Sequence, residues 1–316
     1  MKKHTNKHKK IYRIRNWTAY NAALVQRGSL KVWLSPESQG AWYAQATGAP
    51  GAPAVYSDAA ITCVLSIRKL FHLPLRQTEG FVRSAFKQSG TTLKAPDYTT
   101  LSRRGRYLLV KLPKKDKEKT IIVVDSSGVK VYGEGEWKVR QHGPSKRRKW
   151  KKIHVAIDEN GEVRAADVSD EGTTDADATE SLLNQEEAQI TAFHGDGGYD
   201  KRKVYQALQQ RAVRHVAIPP QHNAKIWQHG NTKAPPHPRD ANLRAIRKHG
   251  RRRWQETSGY HRRSLIENTM FRFKTIFGDQ VLAREDRRQT TELKLALSLL
   301  NRMFELGRPE SYAVTV

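Results

Sequence analysis

Cysteine is almost missing: Cys63 is the only one in 316 residues. No intramolecular disulfide can form, and a zinc site of the cysteine-rich kind is excluded. The twelve histidines offer no substitute, being scattered without zinc-ligand spacing. Long apolar runs are lacking too. No stretch of about 18 apolar residues occurs, so no membrane-spanning helix and no membrane partner are expected. The start, MKKHTNKHKKIYRIRNW, is basic without the apolar run of a secretory signal, so a reducing, cytoplasmic location is expected. Acids are heavily outnumbered: 31 Asp and Glu face 57 Lys and Arg, a formal net charge of +26. That excess attracts a polyanion, because neutralising phosphates releases their counterions. Double-stranded DNA and a nucleoid-associated location are the expectation; a merely solvated basic surface is the plainer alternative.

The first fifteen residues carry seven Lys and Arg and no acid, an arm expected to move freely until it meets phosphate. DAAITCVLSIRKLFH (58–72) predicts a helix with Asp58 as N-cap and an apolar face of Ile61, Leu65, Ile67, Leu70 and Phe71. LRQTEGFVRSAFKQSG predicts a second helix, ended by Gly90. KAPDYTTLSRRGRYLL predicts a third, begun at Pro96 and capped by Thr99 or Thr100. Three short helices, the last bearing Ser102, Arg103, Arg104 and Arg106, suit a helix-turn-helix reader of a major groove, with Arg103 and Arg104 as DNA contacts. An ordinary helical bundle with a charged face is the alternative. The charged, proline-containing LVKLPKKDKEK marks a boundary near residue 118. It separates a basic arm and helical DNA-binding domain (1–118) from a second domain (119–310).

From Lys119 the period changes. TIIVVDSS reads as a short buried strand, and KWKKIHVAID with EVRAADVS as a tight hairpin turning at Glu159, Asn160 and Gly161. DADATESLLNQ reads as a helix with Asp175 near its start, ITAFHGDGGYD as a strand entering a glycine-rich turn, KRKVYQALQQR as a helix and RHVAIPP as a strand. Residues 221–258 are polar and basic and give no assignment. Helical patterns follow over about 258–276 and 288–306. This order predicts an α/β fold: a mixed sheet with helices on both faces, in the chain order of the ribonuclease-H-like fold.

Three acids stand where such a sheet could gather them. Asp125 ends the run IIVV, which puts it at the tip of the first strand. Asp196 follows AFHG at the tip of the fourth. Glu267 lies mid-helix, and the two spacings are equal, 71 residues each. Two Mg²⁺ (or Mn²⁺) per active site, about 4 Å apart, can activate an attacking oxygen and stabilise a leaving one on phosphorus. Both ions prefer carboxylate oxygen. Taken singly, a strand-end Asp is more often a turn former and a helical Glu a solvated partner. Taken together in so basic a chain, the three read as catalytic metal ligands in a DNA channel.

Tyr260, Arg263, Glu267 and Lys274 advance by three, four and seven residues, which sets them on one helical face. That face would present an aromatic ring, a phosphate fork, a metal ligand and an ammonium. Leu265, Phe271 and Phe273 are expected to fall away from it toward a core. Y-x-x-R-x-x-x-E-x-x-x-x-x-x-K, filled by these four, resembles the signature of bacterial insertion-sequence transposases of the DDE class. VVDSSGVKVYGEGEWKVRQHG, DGGYDKR, RSLIENTMFRFKTIFG and RIRNWTAYNAALVQRGSL are similar to insertion-sequence family five around its two aspartates, its glutamate and its N-terminus. The resemblance spans nearly the whole chain. It implies that Asp125, Asp196 and Glu267 form the metal-binding catalytic triad. It implies too that Tyr260, Arg263 and Lys274 contact the DNA end, and that residues before about 118 read terminal inverted repeats.

KVRQHGPSKRRKWKK (138–152) holds eight Lys and Arg beside Trp137 and Trp150. A phosphate-contacting hairpin is expected there, with Arg147, Arg148 and Lys149 as DNA contacts. RKHGRRRWQ (247–255) invites the same reading. His194 is read as strand packing, and Gly197 and Gly198 as permitting close backbone approach. The function expected is DNA cleavage at the ends of a mobile element, then joining of the freed 3′-OH to target DNA. Bringing two ends together implies a homodimer or higher. A nuclease that cleaves without joining and a non-enzymatic DNA-binding regulator are the rivals.

Overall fold

The structure, a computed structural model, describes residues 11–34, 39–45, 53–131, 150–228 and 236–314. Its centre is a sheet of β2 (Lys119–Val131), β3 (Trp150–Ile157), β4 (Val163–Asp170), β5 (Gln189–His194) and β6 (His215–Ala217). Their spatial order is β4-β3-β2-β5-β6, and the short β7 (Gln280–Val281) pairs with the far end of β2. β2, β3 and β4 form an antiparallel meander; β5 runs parallel to β2 and β6 parallel to β5. This is the ribonuclease-H-like mixed sheet that the chain order predicted.

Residues alternate across the sheet, so each strand feeds two cores. Ile122 and Val124 face one side, where they pack with α6 (Asp175–Asn184) and α7 (Arg202–Gln210) through Leu182, Leu183, Val204 and Leu208. Val123, Val129, Ile153 and Val155 face the other, against α10 (Ser264–Phe277) and α11 (Asp286–Leu306). Helices on both faces therefore match the expectation. β4 lies at the sheet's edge, where exposed backbone groups invite unwanted pairing. Buried Asn301 on α11 guards it, accepting from the Val163 amide at 2.8 Å and donating to the Val163 carbonyl at 2.8 Å.

The N-terminal helices join the second of these cores. α1 (Trp17–Gln26) and α2 (Leu30–Trp33) precede α3 (Asp58–Leu70), α4 (Leu75–Gln88) and α5 (Tyr98–Arg104). Ile61, Val64 and Ile67 of α3 belong to the same apolar cluster as Leu295 and Leu299 of α11. A buried ion pair, Lys69 Nζ to Glu292 Oε1 at 2.9 Å, bolts α3 to α11. β1 (Ile11–Ile14) pairs antiparallel with β8 (Ser311–Val314), closing the two ends of the described chain into a ribbon.

Several local expectations are corrected. Ser57, not Asp58, caps α3, its Oγ accepting from the Ala60 amide at 3.1 Å. Asp97, not a threonine, caps α5, taking the amides of Thr99 and Thr100 at 2.9 and 2.8 Å. The β3–β4 hairpin, by contrast, turns at Glu159, Asn160 and Gly161 as expected, closed by the Asp158 amide donating to the Glu162 carbonyl at 3.0 Å. Asp158 Oδ1 accepts from Asn160 and Glu162, and Gly161 takes the left-handed φ of +82° that favours glycine. The unassigned stretch before residue 258 contains α8 (Pro238–His249) and α9 (Arg251–Thr257). Their anchors are polar, which hid the periodicity: Arg239 forks onto Asp200 at 2.6 and 3.1 Å, and Asp240 takes the amides of Trp227 and Gln228. In the neighbouring 247–255 segment, Trp254 is buried against Tyr260 with its indole NH on Asn242, so it offers no face to a base.

Candidate active site

Register brings the two aspartates together. The parallel ladder of β2 and β5 ends at the pair Val123–His194. Asp125 and Asp196 each lie two residues beyond it, so they leave the carboxyl edge as neighbours on adjoining strands. Asp125 is not at a strand tip. β2 runs on through it to Val131, still paired with β3 (Asp125 opposite Val155), because SSGVKV keeps the strand's alternation. Asp125 Oδ1 accepts from the Ser126 amide at 2.9 Å. Asp196 opens the 3-10 turn Gly197–Tyr199, its Oδ1 accepting from the Gly198 amide at 2.8 Å.

Glu267 comes from α10, which buries Ile266, Met270, Phe273 and Phe277 and turns the opposite face outward. Tyr260–Arg263 is a 3-10 turn leading into that helix rather than part of one long helix. Arg263 stands between the acids. Its Nη2 lies 3.2 Å from Asp125 Oδ2 and its Nη1 3.0 Å from Glu267 Oε1. One guanidinium thus ties the two carboxylates, which puts their oxygens within about 9 Å of each other. Among the described residues, no three His, Cys, Asp or Glu side chains are close enough to share one metal ion, and the Glu267 side chain is 57% exposed. The acids are gathered around Arg263 rather than touching.

Burial raises the Asp125 carboxyl above its ordinary range, and the charges of Asp196 and Asp175 push the same way; the Ser126 amide and Arg263 oppose them. A carboxylate so disfavoured when charged gains from a cation. The donor set is all carboxylate oxygen, which fits a hard divalent ion.

Tyr260 is half-buried against Trp254, with ring centroids 5.5 Å apart, and burial raises its hydroxyl pKa. Lys274 is exposed two turns beyond Glu267, roughly 10 Å along the helix. Phe271 does not fall away from this face. It lies one turn after Glu267, between it and Lys274, and is 70% exposed. Phe273 does reach the core, and Leu265 packs at its margin. Arg103 is exposed, whereas Arg104 holds the start of α3 through the Tyr56 carbonyl at 2.7 Å and Asp58 Oδ1 at 2.6 Å. Arg147, Arg148 and Lys149 lie outside the described residues. Trp150 packs its ring over Gly128, where an added Cβ would stand 3.2 Å from the indole.

Sequence reasoning missed the second ring of groups. Asp175, Lys152, His154 and Tyr199 surround the two aspartates. Lys152 Nζ and His154 Nδ1 lie 2.7 and 3.4 Å from Asp175 Oδ1. An acid in the first turn of a helix ordinarily answers the helix dipole, so the sequence carried no signal for more.

His194 is strand packing in the structure, 2% exposed with Nδ1 unpartnered. Burial, then His215 and Arg262, lower its pKa from 6.5 to about 4. The folded state therefore keeps it neutral where the unfolded chain takes up a proton. Stability is full above pH 6.5 and falls as pH drops toward 4, by up to about 3 kcal/mol. Thermal melts across that range will show this slope in the wild type and a flatter one in His194→Gln.

A ribonuclease-H-like sheet with acids at the carboxyl edge of its central parallel strands sets the broad class. Two family models, each described as a transposase DDE domain, match residues 25–134 and 116–302. The second takes in more than half the chain, with Asp125, Asp196 and Glu267 inside it, and the protein belongs to the DDE transposases. It is a transposition enzyme, and DNA is its partner. No helix among the described residues is long and apolar enough to cross a membrane.

Proposed function

We propose that this transposase binds the terminal inverted repeats of its element, nicks DNA at the element ends, and joins the freed 3′-OH to target DNA in the same site. What supports the reading most is the shared register of Asp125 and Asp196 two residues past the Val123–His194 pair, with Arg263 linking Asp125 to Glu267. Asp125, Asp196 and Glu267 are the catalytic ligands of two Mg²⁺ or Mn²⁺. Bound divalent cations supply Lewis-acid activation of the attacking oxygen and charge stabilisation of the leaving one.

Arg263 exchanges its carboxylate partners for a phosphate of the DNA end, the geometry to which a guanidinium fork is suited. Tyr260, braced by Trp254, lies beside that phosphate, and Lys274 meets the backbone further along. Nicking and joining are both in-line displacements at phosphorus, so one site serves both. Residues 1–118 read the inverted repeats, with exposed Arg103 better placed for this than Arg104, which is committed within the fold. Residues 119–310 form the catalytic domain, and Arg147, Arg148 and Lys149 add phosphate contacts. Two ends are held by a homodimer or higher assembly associated with the nucleoid. Family-five membership is part of the same proposal.

Purified protein, Mg²⁺ and a supercoiled plasmid carrying the element test it, with the ends of the products sequenced. Cleavage at element ends, and joined products from pre-cut end DNA, are expected. Cleavage without joining would make it a nuclease. Function untouched by Asp125→Ala, with folding preserved, would make it a regulator.

A further inference from the structure

The three acids read from the sequence are not the full set at this edge of the sheet. Asp175, the first residue of α6, turns toward them. A Cβ built on Gly198 would lie 3.0 Å from Asp196 Oδ1 and 3.6 Å from Asp175 Oδ2. Both carboxylates thus close on one glycine, and their oxygens are separated by no more than about 7 Å, a gap that a metal pair spans. Glycine here opens a cradle that any side chain would fill. Lys152, on β3, holds Asp175 Oδ1 at 2.7 Å, and buried His154 stands 3.4 Å from the same atom. The Ser126 hydroxyl, on the residue after Asp125, supports the same carboxylate. Asp175 is therefore steered from two elements, more than a helix-dipole acid requires.

Tyr199 is an independent pointer. It is fully buried, and its hydroxyl finds no hydrogen-bond partner among the described residues. Leaving a buried hydroxyl unpartnered is costly, so the group calls for a partner that the described residues do not supply. Besides burial, the charges acting on it are those of Asp175 first, then Asp125 and Asp196, with Arg263 opposing them. The unpartnered hydroxyl is thus within electrostatic reach of all three carboxylates.

We propose that Asp175 is a fourth carboxylate ligand of the metal centre, facing Asp196 across Gly198 and oriented by Lys152 and His154. This rests on the metal-centre reading of Asp125 and Asp196. The site would take a hard divalent cation with oxygen ligands.

The test uses the full chain, with Mn²⁺ and Cd²⁺ as probes. Mn²⁺ binding, followed by electron paramagnetic resonance, is measured for wild type, Asp175→Asn and Asp125→Asn. Asp175→Asn is expected to weaken Mn²⁺ binding by roughly 10–100-fold. Asp175→Cys covers the case in which the Asn variant merely loosens the fold. A thiolate at this position should bind Cd²⁺ with a sulfur-to-metal absorption band in the ultraviolet that the wild type lacks. The wild type is a clean reference, because Cys63 is buried and burial pushes its thiol up to about 12. If Asp125→Asn loses Mn²⁺ while Asp175→Asn binds as wild type and the Cys variant shows no band, the proposal is overturned and the three-acid centre stands. If Asp125→Asn also binds Mn²⁺ as wild type does, the metal-centre reading fails and takes this one with it.

Discussion

Asp125→Asn is expected to lower end cleavage and strand transfer by about a thousandfold or more, on the order of 4 kcal/mol of transition-state stabilisation. The fold should not suffer. Burial already disfavours the charged carboxyl of Asp125, and Asp196 and Asp175 add to the penalty. A neutral isostere removes that penalty while Arg263 keeps Glu267 as its partner at 3.0 Å. The melting temperature of Asp125→Asn should therefore match or exceed that of the wild type. Such an exchange of stability for activity is the mark of a functional carboxylate. A variant that melts like the wild type and keeps activity within tenfold would remove Asp125 from the chemistry. Strand-transfer yield and a thermal melt on the same preparation decide it.

Glu292→Ala is expected to cost about 3–5 kcal/mol of stability and to lower the melting temperature on the order of 10 °C. The Glu292 side chain is 4% exposed and that of Lys69 is 6% exposed. Burial disfavours the Glu292 charge, but Lys69 and Arg68 outweigh it and hold its pKa below the ordinary 4.5. Its stabilisation is thus present above pH 4.5 and is lost as the pH falls through the lowered folded value. Glu292 also takes the amides of Leu282 and Ala283 at 3.2 and 3.0 Å, so alanine strands two backbone donors as well as an ammonium. The double variant Lys69→Met with Glu292→Gln keeps an acceptor for those amides and buries no unpaired Lys69 charge. It should recover most of the loss, because a buried ion pair is worth little against a well-packed apolar substitute. Denaturant unfolding of the two variants beside wild type makes the comparison.

The parts legible in the sequence are those whose signal is apolar and local. Short β-branched runs marked the central strands, and alternating strands and helices gave the order of the mixed sheet. The equal spacing of the acids and the Tyr260-to-Lys274 pattern singled out Asp125 and Glu267, which Arg263 links in the fold. What stayed hidden depends on partners distant in sequence or on polar anchoring. β2 reads as ending at Asp125 because the residues after it are hydrophilic, yet they remain paired with β3 and β7. α8 and α9 escape notice because Arg239, Asp240 and Trp254 are held by buried polar bonds rather than by an apolar stripe. β1 and β8 are four residues each and exposed along most of their length, and each gains structure only from the other. Phe271 is misjudged on hydrophobicity alone; its place on the helix puts it beside Glu267, facing outward. Asp175 could not be told from a helix-dipole acid until β3 and Gly198 were seen beside it.

Iron-directed backbone cleavage reads most directly whether these side chains gather around one point. Fe²⁺ replaces Mg²⁺ in the folded protein, ascorbate and peroxide generate hydroxyl radicals where it binds, and the cut sites are mapped by mass spectrometry. Cuts are expected in three separated segments, beside Asp125, beside Asp196 and beside Glu267, all suppressed by excess Mg²⁺. Cuts scattered over the basic surface, or confined to the two strands with none on α10, would contradict a shared centre built from all three.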